Sequence, residues 1–421
     1  MGYRRLWLWL AYIVPLMAVT IAGLEFESSF VVPPWPEREL RPTIVPRGKL
    51  PDTLHGSLLP SPDYNSWGLR DRERSLHKPA GIDFRSVLVG DSFLEGGFVS
   101  RSVGTRIEEL WTAAGRRDME ALSLGVSGTG PPQYYHRLRN VALSLQPDAL
   151  VLVFFSGNDF VRESLDAWSP PIAERPMPSW LGAVSPRLTW LIVNRLGLSE
   201  AARGSAASDF DAVNDILRLP SDQRVDATVR FLKQHYHPDK DEAVIREIIG
   251  RAGKAFWAAF ETRDRDREFL QSWWLSRIVE VETATWPTPL TPEQLERSVD
   301  PAHIESTTSW LIAAAQLARS RNVKFLVALV PSPAIDPRYA EFWSPWPRYR
   351  SFPMLRVVWH RALRAALVAK GLPIADLEDD LKGIPGSYRL SDGHWTELGT
   401  DIAARRLANE LMKIRLSGRG L

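Results

Sequence analysis

Five residues of this 421-residue chain have the side chains and backbone groups that acyl transfer requires. A serine hydroxyl becomes a nucleophile when an imidazole takes its proton, and a carboxylate fixes the tautomer of that imidazole. Ser92 is the candidate nucleophile, His394 the candidate base and Asp392 its candidate orienting carboxylate. The tetrahedral intermediate also needs hydrogen-bond donors. The backbone amides of Ser92 and Gly128 and the side chain of Asn158 are the candidate oxyanion hole.

These residues occur in four short motifs, each of which follows a strand candidate or precedes a helix candidate. The motifs are Gly90-Asp91-Ser92, the glycine-rich loop 124–130, Ser156-Gly157-Asn158-Asp159 and Ser391-Asp392-Gly393-His394-Trp395. Any one of them alone is typical of an ordinary turn or a helix cap. Their joint occurrence at strand and helix junctions favours a catalytic site.

Strand and helix candidates alternate along the chain. The strand candidates are 86–89, 121–124, 149–155, 324–330 and 373–377, and helical spacing occurs at 103–114, 309–320 and 396–414. The apolar runs at 149–155 and 324–330 do not alternate with polar residues, which indicates strands covered on both faces. This order predicts an α/β fold with a mainly parallel sheet between helices. In such sheets, sites form in the loops beyond the carboxyl ends of the strands.

The alternation is interrupted between residues 166 and 304, where helical patterns at 222–236 and 239–260 predict a helical insertion that could cap the active edge. The catalytic domain is therefore predicted in two parts, 63–165 and 305–421. His235, His237 and Asp239 lack a fourth ligand, so we interpret them as a polar turn and predict no metal site. Four tryptophans in and after the insertion are candidates either for a sugar-stacking platform or for core packing: Trp273, Trp274, Trp343 and Trp346.

The N-terminus predicts export. Arg4 and Arg5 precede 19 uncharged residues, 6–24, which would span about 28 Å as a helix. We predict a cytoplasmic tail at 1–5, a transmembrane signal anchor at 6–24 and a periplasmic or extracellular remainder. A cleaved signal peptide is the alternative, although only Thr20-Ile21-Ala22 approaches a cleavage site. Residues 25–62 contain a proline-rich stretch that predicts an extended linker.

Composition excludes several classes. The 52 Lys and Arg residues nearly balance the 50 Asp and Glu residues, for a formal net charge of +2, so we predict no nucleic-acid partner. The chain contains no cysteine, which excludes disulfides, thiolate metal ligands and a cysteine nucleophile.

With these motifs, the chain resembles the SGNH/GDSL hydrolase superfamily. Gly90-Asp91-Ser92, Gly128, Gly157-Asn158-Asp159 and the Asp392/His394 pair match its four blocks, and the segments 65–71 and 78–81 look like those of membrane-tethered bacterial members. The resemblance implies a three-layer α/β/α flavodoxin-like fold and ester chemistry that needs no metal or cofactor. It also implies the roles assigned above to Ser92, Gly128, Asn158, Asp392 and His394.

One departure leaves the reaction open. The usual final block is D-x-x-H, whereas this chain has D-x-H followed by Trp395, similar to the D-x-H-W of alginate O-acetyltransferase-like SGNH proteins. Our leading hypothesis is a membrane-anchored extracytoplasmic serine esterase acting on acyl or acetyl esters of envelope glycans or lipids. The alternatives are an O-acyltransferase of exported polysaccharide and a non-catalytic glycan-binding scaffold.

Overall fold

The computed structural model of the chain describes residues 2–28, 30, 65, 67, 69–163, 185, 187–188, 215–258, 272–285, 287–390 and 393–417. The chain divides into two compact units, one made of residues 1–46 and 169–204 and the other of residues 47–168 and 205–421. The domain boundaries predicted from the sequence stay predictions.

The smaller unit contains helix α1, Gly2–Ser28, which includes Pro15. The carboxylate of Glu25 accepts hydrogen bonds from the backbone amides of Arg187 and Leu188, at 3.0 and 2.8 Å from its Oε2 atom. The side chains of residues 2–11 lie outside the described part of the chain. Among the helices that the structure describes, none has the length and apolarity required to cross a membrane. The membrane anchor at 6–24 stays a prediction.

The larger unit is built on a sheet of five parallel strands in the order β2-β1-β3-β4-β5. The strands are β1 (Phe84–Gly90), β2 (Met119–Gly125), β3 (Ala149–Phe155), β4 (Lys324–Val330) and β5 (Ile374–Asp376). This 2-1-3-4-5 order is that of flavodoxin-like folds, whose ligands bind where the chain reverses direction across the sheet, at β1 and β3. The predicted α/β fold with a parallel sheet is confirmed.

The helices of the larger unit cover both faces of this sheet and also form a second hydrophobic core. They are α2 (Ser92–Glu95), α3 (Val103–Ala113), α4 (Pro131–Asn140), α5 (Ser221–His235), α6 (Glu242–Gly250), α7 (Lys254–Ala258), α8 (Ser272–Glu282), α9 (Pro292–Arg297), α10 (Pro301–Ser320), α11 (Pro337–Phe342), α12 (Pro347–Ala369), α13 (Glu378–Leu381) and α14 (Glu397–Ser417). Helices α3 and α14 pack together, and α10 packs on α4 and α12.

Strand β3 shows why both faces are covered. Its residues Val151, Val153 and Phe155 belong to the hydrophobic core that includes α3 and α14. Successive side chains of a strand point to opposite faces, so Leu150 and Leu152 point to the other face, where they are equally buried. A strand buried on both faces needs apolar residues at every position, which accounts for the unbroken run of the sequence.

The edge strand β2 is protected by side chains. The backbone amide of Ser123 donates to Asp71 at 3.0 Å, and that of Ala121 donates to Glu108 at 2.9 Å. Arg74 pairs with both carboxylates. Because these amides already have acceptors, they are not available to a strand of another chain.

The helices of residues 221–282 share a second hydrophobic core with α11 and the start of α12. Trp343 and Trp346 are 0% and 1% exposed in this core. The indole of Trp346 donates to the carbonyl of Ile248 at 2.9 Å. Of the two interpretations of these tryptophans, core packing is therefore right, and a sugar platform at Trp343 and Trp346 is excluded by their burial. The side chains of Trp273 and Trp274 lie outside the described residues.

Candidate active site

The candidate nucleophile and base meet at the carboxyl edge of the sheet. Oγ of Ser92 and Nε2 of His394 lie 2.8 Å apart. Ser92 is the first residue of α2, which begins directly after β1 and is capped by the Asp91 side chain accepting from the Phe93 amide. This distance allows the imidazole to take the hydroxyl proton when Nδ1 carries the ring proton.

The other predicted residues are placed as follows. Gly128 lies exposed in the turn after β2, with a φ of +73° that favours glycine. Asn158 lies exposed in the turn after β3. Because β2 and β3 both pair with β1, these two turns flank the turn that carries Ser92. Asp392 lies outside the described residues, and the roles of Gly128, Asn158 and Asp392 stay predictions.

Two phenylalanine rings hold the imidazole of His394. The Phe93 ring stacks on it with centroids 4.9 Å apart and planes at 25°, and the Phe98 ring lies at 4.7 Å and 40°. The indole of Trp395 meets Phe93 edge-on at 4.9 Å. The Arg389 guanidinium lies 5.1 Å from the centroid of the Phe98 ring. Two side chains that follow the candidate nucleophile in the chain therefore contact the imidazole of the candidate base.

Glu95 connects the nucleophile helix to the glycine-rich loop. Its Oε2 atom accepts the Ser127 amide at 2.7 Å and also contacts the Ser127 hydroxyl. The same helix packs closely against the end of β2. A side chain at Gly125 would place its Cβ 2.3 Å from the Glu95 nitrogen, so this close approach requires a glycine. The Arg70 guanidinium donates to the carbonyls of Gly96 and Val99 just beyond the helix. These contacts fix Ser92 and the Gly128 turn relative to each other.

The loop that carries His394 is fixed by residues after β4. The buried Asp336 carboxylate accepts the amides of Gly386 and Tyr388 at 2.9 and 3.1 Å. The indole of Trp343 donates to the carbonyl of Leu390 at 2.9 Å. Trp343 also belongs to the second core, so the base loop is attached directly to the helices of residues 221–282.

Two buried carboxyls lie beneath the site. Burial raises the pKa of Asp91 to about 6, against the opposing effects of the Phe93 amide and His394. Burial, reinforced by the charge of Asp91, raises the pKa of Asp159 well above its usual value. Asp159 accepts hydrogen bonds from the Phe155 amide at 2.7 Å and from the Tyr134 hydroxyl at 2.9 Å. The environment beneath Ser92 therefore favours neutral carboxyls over two like charges.

His360, Asp376 and Glu378 form a buried cluster whose ligand-type atoms all lie within 4.8 Å of one another. Both carboxylates are already paired, Asp376 with Arg364 at 3.0 Å and Glu378 with Arg361 at 2.7 Å. These cations neutralise the charge that would attract a metal ion, so we interpret the cluster as an ion-pair network. The histidine interpreted as part of a polar turn, His237, lies 3.0 Å from the Ser276 hydroxyl.

Sequence reasoning missed Phe93, Glu95, Phe98 and Asp336 as supports of this site, and it considered Trp343 only for sugar stacking or core packing. Glu95 carried a signal, because it follows Ser92 by three residues, the spacing that places two side chains on one side of a helix. The others carried none, since each contact joins segments distant in the sequence.

No protein-family model matches the chain, and no curated protein matches it. Among solved structures, it is similar to a GDSL-like lipase from Bacteroides thetaiotaomicron VPI-5482, with 12% identity, a TM-score of 0.33, and 80% of this chain and 91% of that chain covered. It is also similar to the lipase/acylhydrolase from Enterococcus faecalis, with 12% identity, a TM-score of 0.31, and 78% and 96% of the two chains covered.

The fold and the candidate site can be compared with what the sequence motifs predict. The strand order is flavodoxin-like, and the turns after β1, β2 and β3 carry Ser92, Gly128 and Asn158 at one edge. The Ser92 hydroxyl faces His394, which lies just ahead of the last helix. This strand order and this placement of the motifs are those that the resemblance to the SGNH/GDSL hydrolase superfamily implies.

Proposed function

We propose that this protein is a serine ester hydrolase that cleaves carboxylic esters through an acyl-enzyme. The observation that carries the proposal is the 2.8 Å contact between Ser92 Oγ and His394 Nε2. A hydroxyl and an imidazole at this distance form an activated nucleophile, and the rings of Phe93 and Phe98 keep the imidazole in place.

The chemistry follows from this pair. Ser92 Oγ attacks the acyl carbonyl while His394 takes its proton, and the tetrahedral oxyanion is bound by the amides of Ser92 and Gly128 and by Asn158. Collapse breaks the ester bond, and the leaving alcohol takes the proton from His394. Water, deprotonated by His394, then attacks the acyl-serine and releases the acid. Asp392 is the residue proposed to orient His394 and to stabilise its charged form.

The proposed location is the outer side of a membrane, with the N-terminal helix as anchor. Supporting this are the uncharged run 6–24 after Arg4 and Arg5 and the exposure of apolar side chains on α1, among them Val14, Leu16 and Val19. An esterase held there would meet acyl or acetyl esters of envelope glycans or lipids, which is the substrate class we propose.

An O-acyltransferase of exported polysaccharide is the second candidate. The observation that favours it is the D-x-H-W motif, whose Trp395 packs edge-on against Phe93 beside the base. In this reaction a sugar hydroxyl, in place of water, takes the acyl group from Ser92. A non-catalytic scaffold is the least favoured hypothesis, because a scaffold does not require Ser92 and His394 to be hydrogen-bonded.

The test is the release of p-nitrophenol from p-nitrophenyl acetate by the full chain in detergent, compared with Ser92→Ala. We expect Ser92-dependent release, and an added unacetylated oligosaccharide accelerates release only if the enzyme is a transferase. Ser86→Ala is the matched control, because Ser86 is a buried serine of β1 whose hydroxyl donates to the Glu120 carbonyl at 3.2 Å. Absence of Ser92-dependent release in the native chain would refute the hydrolase.

A further inference from the structure

A second serine, histidine and aspartate are hydrogen-bonded in series within the protein. Ser156 Oγ lies 2.7 Å from Nδ1 of His360, and Nε2 of His360 lies 2.9 Å from Oδ1 of Asp376. Ser156 and His360 are 0% exposed and Asp376 is 3% exposed. Because no substrate can reach these groups, the series is not a second catalytic centre.

The hydrogen bonds of this series can all be satisfied at once. With a proton on Nε2, His360 donates to the Asp376 carboxylate, and its Nδ1 accepts from the Ser156 hydroxyl. Arg364 completes the series from the other side, 3.0 Å from Oδ2 of Asp376. Burial acts to raise the pKa of Asp376, but the His360 side chain, the Glu378 amide and the Arg364 charge together outweigh it and leave this pKa below its usual value. The aspartate is therefore a fixed anionic acceptor for His360.

The series ends on the turn that carries Asn158. Ser156 is the first residue of this turn, and its backbone amide donates to the Val330 carbonyl of β4 at 2.9 Å. On the far side of the turn, the amide of Asp159 donates to the Phe155 carbonyl at 3.1 Å. Asn158 lies exposed between these two fixed points, so the direction of its side chain depends on how firmly the turn is held.

We propose that His360 is a positioning residue for the oxyanion hole, acting on Asn158 through the Ser156 hydroxyl. The proposal rests on the esterase function proposed above. His360 lies 204 residues from Ser156 in the chain, and its hydrogen bonds are to Ser156 and Asp376. An error of about 1 Å in the place of a group that stabilises the transition state can lower turnover by about 100-fold, so a buried clamp on this turn has a catalytic effect.

The first test is a double-mutant cycle. We expect Ser156→Ala to lower kcat for p-nitrophenyl acetate by about 10-fold with little change in KM, because the oxyanion donor matters most in the transition state. In the Asn158→Ala background the same substitution is expected to have no further effect, since the group it positions is absent. Additive losses in kcat would overturn the proposal, because they would indicate general loosening of the structure. Ser86→Ala, which also deletes a buried hydroxyl, should leave kcat unchanged.

The second test does not need activity. Hydrogen exchange of the backbone amides of residues 156–160 should be faster in Ser156→Ala and in His360→Asn than in the native chain, while exchange in the turn after β2 stays unchanged. Equal exchange at residues 156–160 in native and variant chains would overturn the proposal. If the native chain has no Ser92-dependent activity, the esterase is refuted, and the exchange rates still show whether His360 holds the turn.

Discussion

The ring of Phe93 stacks on the imidazole of His394, with centroids 4.9 Å apart and planes inclined by 25°. Phe93 is also the residue that follows Ser92, so one turn of the chain carries both the candidate nucleophile and a ring that contacts the candidate base. The Phe93 amide donates a hydrogen bond to the Asp91 carboxylate. This bond fixes the backbone on both sides of Ser92. Alignment of the base is therefore built into the nucleophile turn.

Phe93→Leu should lower kcat about fivefold, because stacking of this kind contributes ~1 kcal/mol beyond burial and its loss frees the imidazole to rotate. The substitution nearly conserves volume, so its cost in stability should stay below about 1.5 kcal/mol. Steady-state kinetics with p-nitrophenyl acetate and a thermal melt measure the two effects. Phe84→Leu, at the start of β1 in the same core, is the control and should affect only stability. Equal kcat losses in both variants would contradict the role of Phe93.

Asn158→Ala should lower kcat by about 100-fold or more, as for other oxyanion donors. Because Asn158 is exposed, the melting temperature of the variant should change little. The measurement is kcat together with a melt, and an unchanged kcat would remove Asn158 from the mechanism.

Glu95→Ala should lower kcat about 10-fold, since the Ser127 amide loses its buried acceptor and the Gly128 turn is released. Glu95→Gln is the matched control, because its amide oxygen can still accept from Ser127. We expect kcat of the Gln variant to lie near the native value. If the Ala and Gln variants lose activity equally, the charge of Glu95, and not the hydrogen bond, is what matters.

Asp91→Asn should stabilise the protein more at pH 8 than at pH 5. Burial raises the pKa of Asp91 to about 6 from an ordinary 3.8, so the folded state binds this proton more tightly than the unfolded state. This tighter proton binding stabilises the folded state fully below pH 3.8. The stabilisation falls as pH rises above 3.8 and is lost once pH exceeds about 6. The full shift corresponds to ~3 kcal/mol, of which roughly half is already lost at pH 5, so the gain in stability should be ~1.4 kcal/mol larger at pH 8 than at pH 5. Asparagine keeps the cap on Phe93 without the charge. Denaturant unfolding at both pH values measures the difference, and a gain that is the same at pH 5 and pH 8 would refute this account.

The sequence predicted the strands best where the run of apolar residues is longest. The predicted bounds 149–155 and 324–330 are those of β3 and β4, whereas β1 and β2 each begin two residues before their predicted starts. The reason is a charge pair: Arg85 and Glu120 lie in register on β1 and β2, and their side chains form a buried ion pair. A single buried charge in a strand is unfavourable, so each of these residues alone counts against a strand. Each is tolerated because it pairs with the other, which lies 35 residues away in the chain.

The candidate site was predictable to the extent that its residues lie at strand ends. Parallel strands carry their carboxyl ends to one edge, so motifs after β1, β2 and β3 had to be neighbours. The contacts that support them were not predictable. Asp336 meets Tyr388 across 52 residues, and Trp343 meets Leu390 across 47. Such pairs depend on how the helices pack against one another, and the periodicity of apolar residues does not predict that packing.

The hydrogen bond from Trp343 to Leu390 has a consequence for how the larger unit unfolds. Trp343 is fully buried among the helices of residues 221–282, and Leu390 lies four residues before the catalytic base candidate. Opening of those helices would expose Trp343 and release the base loop in the same event. We therefore expect these helices and the loop of His394 to open together, so a destabilising substitution at Ile248 or Leu275, far along the chain from Ser92 and His394, should also lower activity.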